Sequence, residues 1–486
     1  MLYRALELCA QKHGTKIAIV GERRSLTYNQ LLRQAQSAAA HLQKLGLGTG
    51  DHLVVGIPPS PEFFVMFCAA AAIGVTTIPA SPSGKVSSAI RDLEPAAFAG
   101  GTDSIAAANA GGLSPRHVIP WTPEHGLEIA PRPGRFIRRG IIRKETVLGT
   151  SSSGTTGEPL IFMRSAEALY RRARLGGIAW GIKPQDTMLS TGPFTSGVNT
   201  NYHLVLPIIQ GTKIVVLENF QRGKVVDVIS RERVSVLFAV PMVFDVLARL
   251  PAVCDADLSS LRRCISGGTH LPRDIYDRFY RRFGLAIGQG YGGVHFAPAF
   301  TVHPGGTPGA VGRKDGLFPV EIIDAKGKPV AKGRIGEIAF DAAKVRYQWA
   351  KTILQRNPNR RGRYVYTGDL GRVDQQGNLF VVGRRSAMIK VGANRVATAE
   401  VEDVLRSHPR VHDAIVFPLR TGQTDETVGA IVVRNGRLTS EELIEHCARQ
   451  LDAYKCPRTI SFRKSLRRNT HGKVIRYLYE SPLQRA

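Results

Sequence analysis

The stretch Gly149-Thr150-Ser151-Ser152-Ser153-Gly154-Thr155-Thr156-Gly157-Glu158-Pro159 crowds hydroxyls and glycines into one flexible turn. Glycine lets backbone N–H groups come close to an anion, and Ser and Thr hydroxyls add donors that follow phosphate oxygens as charge moves. Such a turn suits a polyphosphate. Taken alone, the same composition also suits a surface linker or a glycosylated loop. What separates these readings is the company the turn keeps further along the chain: Tyr366-Thr367-Gly368-Asp369, then Gly383-Arg384, then Gly472-Lys473.

Elements must position these residues, and the sequence supplies them. A chain of 486 residues is too long for a single core, so two or more lobes are expected. A capped helix is predicted from Ser25 to Leu45, followed by a glycine-rich turn at Gly46 to Asp51 and a buried strand at His52 to Ile57. Helix and apolar strand alternate again at Ile208 to Leu217 and at Val234 to Val240, the pattern of α/β layers with a mostly parallel sheet. From Gly309 the texture changes to short strands and turns, which predicts a small β subdomain. Beyond Gly383 a helix at Ala399 to Ser407, strands at Asp413 to Pro418 and Val428 to Val433, and a helix at Ser440 to Leu451 make a compact α+β unit. The Arg- and Pro-rich segment Arg132 to Arg143 reads as an exposed connection.

Composition narrows the compartment and the partners. The net charge of +27 attracts polyanions, but the arginines are scattered and the aromatic residues are not interleaved with them, so nucleic-acid binding is the minor reading. Cys9, Cys68, Cys254, Cys264, Cys447 and Cys456 show neither a CxxC pair nor metal-ligand spacing, as in a reducing compartment. The N-terminus has no signal-like apolar segment, and Phe63 to Ala80 is broken by Gly74, Thr76, Thr77 and Pro79, so it reads as a core helix and strand rather than a bilayer span. A cytoplasmic protein without integral membrane association is expected.

Seven motifs occur in one order: Leu26-Thr27-Tyr28 through Gly50-Asp51, the hydroxyl-rich turn, Ser266-Gly267-Gly268, Tyr291-Gly292, Tyr366-Thr367-Gly368-Asp369, Gly383-Arg384 and Gly472-Lys473. In that order they resemble the adenylate-forming superfamily of acyl-CoA synthetases, adenylation domains and luciferases. The resemblance implies an α/β fold: a large N-terminal domain, residues 1–384, of layered parallel sheets and helices plus a small β subdomain. A small mobile α+β lid, residues 385–486, follows it. It implies ATP-dependent activation of a carboxylic acid to an acyl adenylate, then transfer to the thiol of coenzyme A or of a carrier protein's phosphopantetheine arm, with Mg²⁺ on the phosphates.

Carried residue by residue, the resemblance puts Ser152, Ser153, Gly154, Thr155, Thr156 and Gly157 on the β- and γ-phosphates, and Lys473 on the α-phosphate and acyl carboxylate. Asp369 and Arg384 would hold the ribose, a carboxylate offering two acceptor oxygens to a diol. Tyr291 and Gly292, with Gly267 and Gly268, would hold the adenine. Phe194, Ser196, Asn199, Val240, Thr269 and Val294 would line the acyl pocket. Ser386 would sit at the hinge, and Lys390, Gly392 and Ala393 would line the thiol tunnel. Each has a plainer reading: a solvated lysine in a basic tail for Lys473, a turn former for Asp369, a core aromatic for Tyr291.

Departures from the family pattern are specific. Val294 and His295 stand where the family has Thr and the Glu that helps hold Mg²⁺, and imidazole suits a hard, oxygen-seeking cation poorly, so no metal ligand is assigned. Leu160 replaces the usual Lys after Pro159, Ser196 replaces a His, and Ser386 replaces the usual hinge residue. These losses keep open a catalytically altered homologue acting as a nucleotide-binding or scaffold protein.

Overall fold

The computed structural model describes residues 1–83, 87–129, 137, 146–151, 161–251, 257–293, 307–314, 320–341, 351–352, 360–420, 426–468 and 474–480. Its centre is the helix Pro61–Ile73, which is apolar all round apart from Glu62 and buried at every position. Sequence sets its ends: the Ser60 hydroxyl accepts the Phe63 amide at 3.4 Å, Pro61 occupies the first turn, and Gly74 stops it with a positive φ of 82°. The expected break between core helix and strand is therefore present, with the strand at Thr76–Pro79.

Two large sheets flank this helix. Among the described residues the first has seven strands, in the order Ile287–Gly290, Arg263–Gly267, Val236–Ala239, Thr187–Ser190, Lys213–Val216, Ile17–Val20 and Ser25–Thr27. All its pairings are parallel except the terminal hairpin of Ile17–Val20 with Ser25–Thr27. The second has eight over the same residues, running from Lys351–Thr352 through Ile161–Ser165, Thr146–Ser151, Thr76–Pro79, His52–Gly56 and Ala97–Gly100 to the hairpin His117–Thr122 and Gly126–Leu127. One core joins both sheets, including Ile19, Met188, Phe238, Leu53, Val55 and Leu148 together with the helix Pro61–Ile73. Each fully buried side chain of this size contributes about 1.5–3 kcal/mol by leaving water.

Two refinements concern local chemistry. The helix predicted from Ser25 begins at Tyr28, because Thr27 and Gln30 close a reciprocal capping box and leave Ser25–Thr27 free to pair as a strand. The second sheet is mixed rather than parallel, since Ile161–Ser165 returns antiparallel to Thr146–Ser151 and makes the two arms of the hydroxyl-rich turn neighbours.

The β subdomain is an antiparallel sheet of Ala310–Arg313, Asn378–Arg384, Tyr364–Val373, Gly336–Asp341 and Val320–Ile323, with Arg360–Arg361 on Tyr364–Val373. After it comes a short hairpin, Ile389–Val391 with Asn394–Val396, and then a sheet of Val411–Arg420, Glu426–Arg434 and Thr459–Arg463. The helices Thr398–Ser407 and Ser440–Ala448 bury Val401, Leu405, Leu443 and Cys447 in that unit's own core. No helix among the described residues is long and apolar enough to cross a membrane.

Candidate active site

The Thr-Gly-Asp segment forms a fixed turn within the strand Tyr364–Val373. The Thr367 hydroxyl donates to the Ile338 carbonyl at 2.9 Å and accepts the Asp369 amide at 3.0 Å, while Gly368 takes a φ of +78° that other residues adopt only at a cost. Asp369, 5% exposed, is thereby aimed away from solvent toward two donors. Arg384, its cross-strand partner, donates from Nε to Oδ1 at 2.8 Å, and the Tyr291 hydroxyl donates to Oδ2 at 2.5 Å. One donor on each oxygen fixes the plane of the carboxylate, and hydrogen bonds to an ionised acceptor are the strong kind. Burial, and then the Asp369 charge, holds the Tyr291 hydroxyl well above the usual phenol range, so it stays a donor.

Tyr291 arrives there by sheet register. Strands Arg263–Gly267 and Ile287–Gly290 run side by side with Gly267 opposite Gly290, which places the residues that follow them, Gly268 and Tyr291, at one end of the sheet. A Cβ on Gly267 would come within 2.7 Å of the Phe238 ring, and Gly268 has a φ of +87°, so neither position has room or backbone freedom for a larger residue. Gly292 is exposed beside them. The fold therefore brings Gly267, Gly268, Tyr291, Gly292, Asp369 and Arg384 together. Residues 152–157, with Leu160, Val294, His295 and Lys473, lie outside the described residues.

The first sheet reverses its order between Thr187–Ser190 and Val236–Ala239: from the former, the chain adds Lys213–Val216 on one side and then returns to the other. Crevices at the carboxyl ends of strands where the order reverses are where open α/β sheets bind ligands. The segments leaving those two ends carry Phe194, Ser196, Asn199 and Val240. Phe194, 2% exposed, packs its ring on Phe63 and Phe64 at centroid distances of 4.8 and 5.5 Å. The Ser196 hydroxyl accepts the Asn199 amide at 3.2 Å, and the Asn199 side chain donates to the Pro193 carbonyl at 2.9 Å. Val240 lies 3.7 Å from where a Cβ on Gly268 would be, and Thr269 is exposed next to it. Beneath them Phe238 packs edge-on to Trp180 at 4.5 Å, and burial pushes the imidazole of His203 down to about 3, which keeps it neutral.

Several site neighbours escaped sequence reasoning. The segment Asn199–Val205 is a π-helix, a widened turn found often at functional sites. Two buried guanidinium groups stand beside it: Arg164 donates to Asn201 at 3.2 Å, and burial lowers the pKa of both Arg164 and Arg172. Glu337, 8% exposed, accepts the Gly368 amide at 3.2 Å and the Arg385 guanidinium at 3.2 Å. His270, just past the Ser-Gly-Gly strand end, meets Asp403 of the helix Thr398–Ser407 at 2.8 Å. These pairs join residues distant in sequence, so no local signal marks them.

At the junction, Arg385–Ala387 forms a 3-10 turn with Ser386 exposed. Lys390, Gly392 and Ala393 sit on the following hairpin, all exposed, with Gly392 at φ +57°. Among the described residues no group of three or more His, Cys, Asp or Glu could hold a metal ion.

Comparison with known proteins bears on the whole chain. The AMP-binding enzyme pattern matches residues 6–345, and the AMP-binding enzyme C-terminal domain pattern matches residues 400–473. The chain is 28% identical over 490 residues to 4-coumarate--CoA ligase 2 of Nicotiana tabacum, covering 93% of this chain and 88% of that one. It is 26% identical over 487 residues to feruloyl-CoA synthase of Amycolatopsis sp, covering 96% and 95%. The crystal structure of the anthranilate CoA ligase AuaEII in complex with anthranoyl-AMP superposes with a TM-score of 0.88 at 22% identity, over 98% of this chain and 96% of that one. That likeness covers both the two-sheet body and the C-terminal unit, as the motif order led us to expect. With its ordered motifs, its two-part fold and matches to both family patterns, the chain belongs to the AMP-binding enzyme family of adenylate-forming enzymes.

Proposed function

We infer that this chain is an acid–thiol ligase that joins a carboxylic acid to ATP as an acyl adenylate and then passes the acyl group to a thiol. The observation that carries the reading is the carboxylate of Asp369, held on both oxygens by Arg384 and Tyr291 beside the bare backbone of Gly267 and Gly268. A fixed carboxylate accepts the two hydroxyls of a ribose, and the glycine edge admits a flat base against the Tyr291 side of the sheet. In the first step a carboxylate oxygen of the acid attacks the α-phosphorus, the bond from that phosphorus to the bridging β-oxygen breaks, and pyrophosphate leaves. In the second, the thiol sulfur attacks the acyl carbon, loses its proton, and expels AMP.

Both steps gather negative charge, so catalysis rests on donors and cations already in place. Ser152, Ser153, Gly154, Thr155, Thr156 and Gly157 hold the β- and γ-phosphates in this reading, and Lys473 neutralises charge at the α-phosphate. The reading is supported for the phosphate turn by its two adjacent arms, Thr146–Ser151 and Ile161–Ser165. Mg²⁺, a hard cation that prefers oxygen ligands, would be brought by the nucleotide's phosphates and would supply neutralising charge there, and no metal ligand is assigned among the described residues. The lid comprises residues 385–486 and turns about Ser386, which lies between ion-paired Arg385 and the hairpin carrying Lys390, Gly392 and Ala393. Its two orientations serve the two steps.

For the acid we propose an aromatic monocarboxylate bound between Asn199, Val240 and Thr269, with Ser196 and the neutral, aromatic-backed floor of Phe238 and His203 below. The relatives named for 4-coumarate, ferulate and anthranilate support an aromatic acyl group. A second reading gives the acid an additional negative charge, because Arg164 and Arg172 are buried beside the π-helix that begins at Asn199, and buried cations favour an anion. The acceptor is coenzyme A or a carrier protein's phosphopantetheine arm. Mass spectrometry of thioesters formed from hydroxycinnamates, benzoates and short dicarboxylates, each offered coenzyme A or a phosphopantetheinylated carrier, tests all of this. Thioesters from the aromatic acids are expected. Products from dicarboxylates alone would transfer the choice to the second reading.

A further inference from the structure

Glu337 occupies a position that the chemistry above does not require, and yet it touches both ends of the proposed cycle. It lies on the strand Gly336–Asp341, opposite Leu370 in register, with its side chain almost wholly buried. One carboxylate oxygen accepts the backbone N–H of Gly368, the residue immediately before Asp369. The other accepts from the guanidinium of Arg385, the first residue after the strand Asn378–Arg384 and the start of the 3-10 turn that leads to the lid. Arg384 and Arg385 thus reach two different carboxylates, Asp369 at 2.8 Å and Glu337 at 3.2 Å.

We propose that Glu337 is a positioning residue that ties the ribose-binding turn to the lid junction, so that nucleotide bound at Asp369 fixes Arg385 and confines rotation to the residues after it. The inference rests on the nucleotide reading given above. Its path has few soft links. Gly368 is held in a left-handed conformation by the turn, so a hydroxyl bonding to Asp369 restrains the Gly368 N–H as well. Glu337 is anchored in an antiparallel ladder and carries one charge between the amide and the guanidinium. A buried carboxylate that loses one of two charge-assisted partners is left poorly compensated, so Arg385 and the Gly368 amide each reinforce the other's hold on it. The half-exposed guanidinium of Arg385 makes this restraint releasable: it can leave for water once nucleotide leaves Asp369, whereas the amide contact stays.

Hydrogen–deuterium exchange on the intact chain, with and without AMP, tests the coupling. In the wild type, AMP is expected to slow exchange both in peptides covering 366–370 and in peptides covering 384–388. Glu337→Gln keeps an acceptor for the Gly368 amide but removes the charge facing Arg385, and Arg385→Gln removes the same contact from its exposed end. Both variants are expected to keep AMP protection at 366–370 and to lose it at 384–388. They are also expected to slow thioester formation more than pyrophosphate release, since only the former requires the junction to reset. Persistent protection of 384–388 in both variants would overturn the coupling, as would wild-type protection confined to 366–370. Absence of AMP protection at 366–370 in the wild type would instead remove the nucleotide reading, and this inference with it.

Discussion

The two halves of the proposed site are built on opposite principles. On the ribose side a buried carboxylate is clamped by a tyrosine hydroxyl and an arginine, and a second carboxylate braces the turn that holds it. On the acyl side the residues proposed to line the pocket are aromatic, small or neutral, and the buried Arg164 and Arg172 stand behind them beside the π-helix: Phe194 is packed into the core, Asn199 donates its amide to a backbone carbonyl, and His203 is kept uncharged by burial. A nucleotide has one fixed shape and charge pattern, so its contacts can be polar, directional and rigid. An acyl group varies, and shape in an apolar wall sets preference at low cost in fixed charge.

Removing Asp369 breaks this contrast most severely. Asp369→Ala deletes acceptors for two charge-assisted hydrogen bonds worth about 1.5–3 kcal/mol each, so kcat/KM for ATP is expected to fall by about 100-fold or more while KM for the acid changes little. An equal loss in both would place Asp369 outside a ribose-specific role. Gly267→Ala stands at the border, because its Cβ meets the Phe238 ring at 2.7 Å. Crowding of this kind costs about 1–3 kcal/mol, to be read as a lowered melting temperature that Phe238→Leu partly restores.

Tyr291→Phe is gentler. It retains the ring and removes the donor to Asp369, and KM for ATP is expected to rise about five-fold, in keeping with roughly 1 kcal/mol for one hydrogen bond. KM for 2′,3′-dideoxy-ATP should then rise less, because that nucleotide has no diol to feel the loosened carboxylate. The smallest effect concerns the contact of His270 with Asp403 on the helix Thr398–Ser407. Burial of His270 disfavours its charge, but the hydrogen bond and charge of Asp403 outweigh this, aided by Glu402 and opposed by Arg406, and its pKa is raised. A raised histidine pKa gives a contact fully present below the ordinary value near 6.5 and lost as pH rises through the higher folded value. Protease nicking at residues 384–388 is therefore expected to increase modestly from about pH 6 to about pH 8 in the wild type and to be flat in His270→Gln.

What could be read before the structure follows the same division. Asp369, Arg384, Tyr291 and the Gly267-Gly268 pair are marked by short motifs because turns and strand ends impose local residue types, such as a glycine at +78° ahead of the aspartate. The core helix and strand within Phe63 to Ala80 were legible from Gly74 and Pro79 for the same reason. Glu337 was not, since it sits in an apolar strand pattern and its partners Gly368 and Arg385 lie 31 and 48 residues away. The link from His270 to Asp403 spans 133 residues and joins the segment past the end of the strand Arg263–Gly267 to the helix Thr398–Ser407. The π-helix at Asn199–Val205 packs its Tyr202 ring against Trp180 and Phe238, contacts that no window of sequence contains.

The most direct test of the central claim is exchange of labelled pyrophosphate into ATP, which occurs only if an acyl adenylate forms reversibly. With Mg²⁺ and 4-coumarate, ferulate, anthranilate or benzoate, the wild-type chain is predicted to give exchange that depends on the acid and is lost in Asp369→Ala. Tight ATP binding without acid-dependent exchange, across these acids and short dicarboxylates alike, would contradict it.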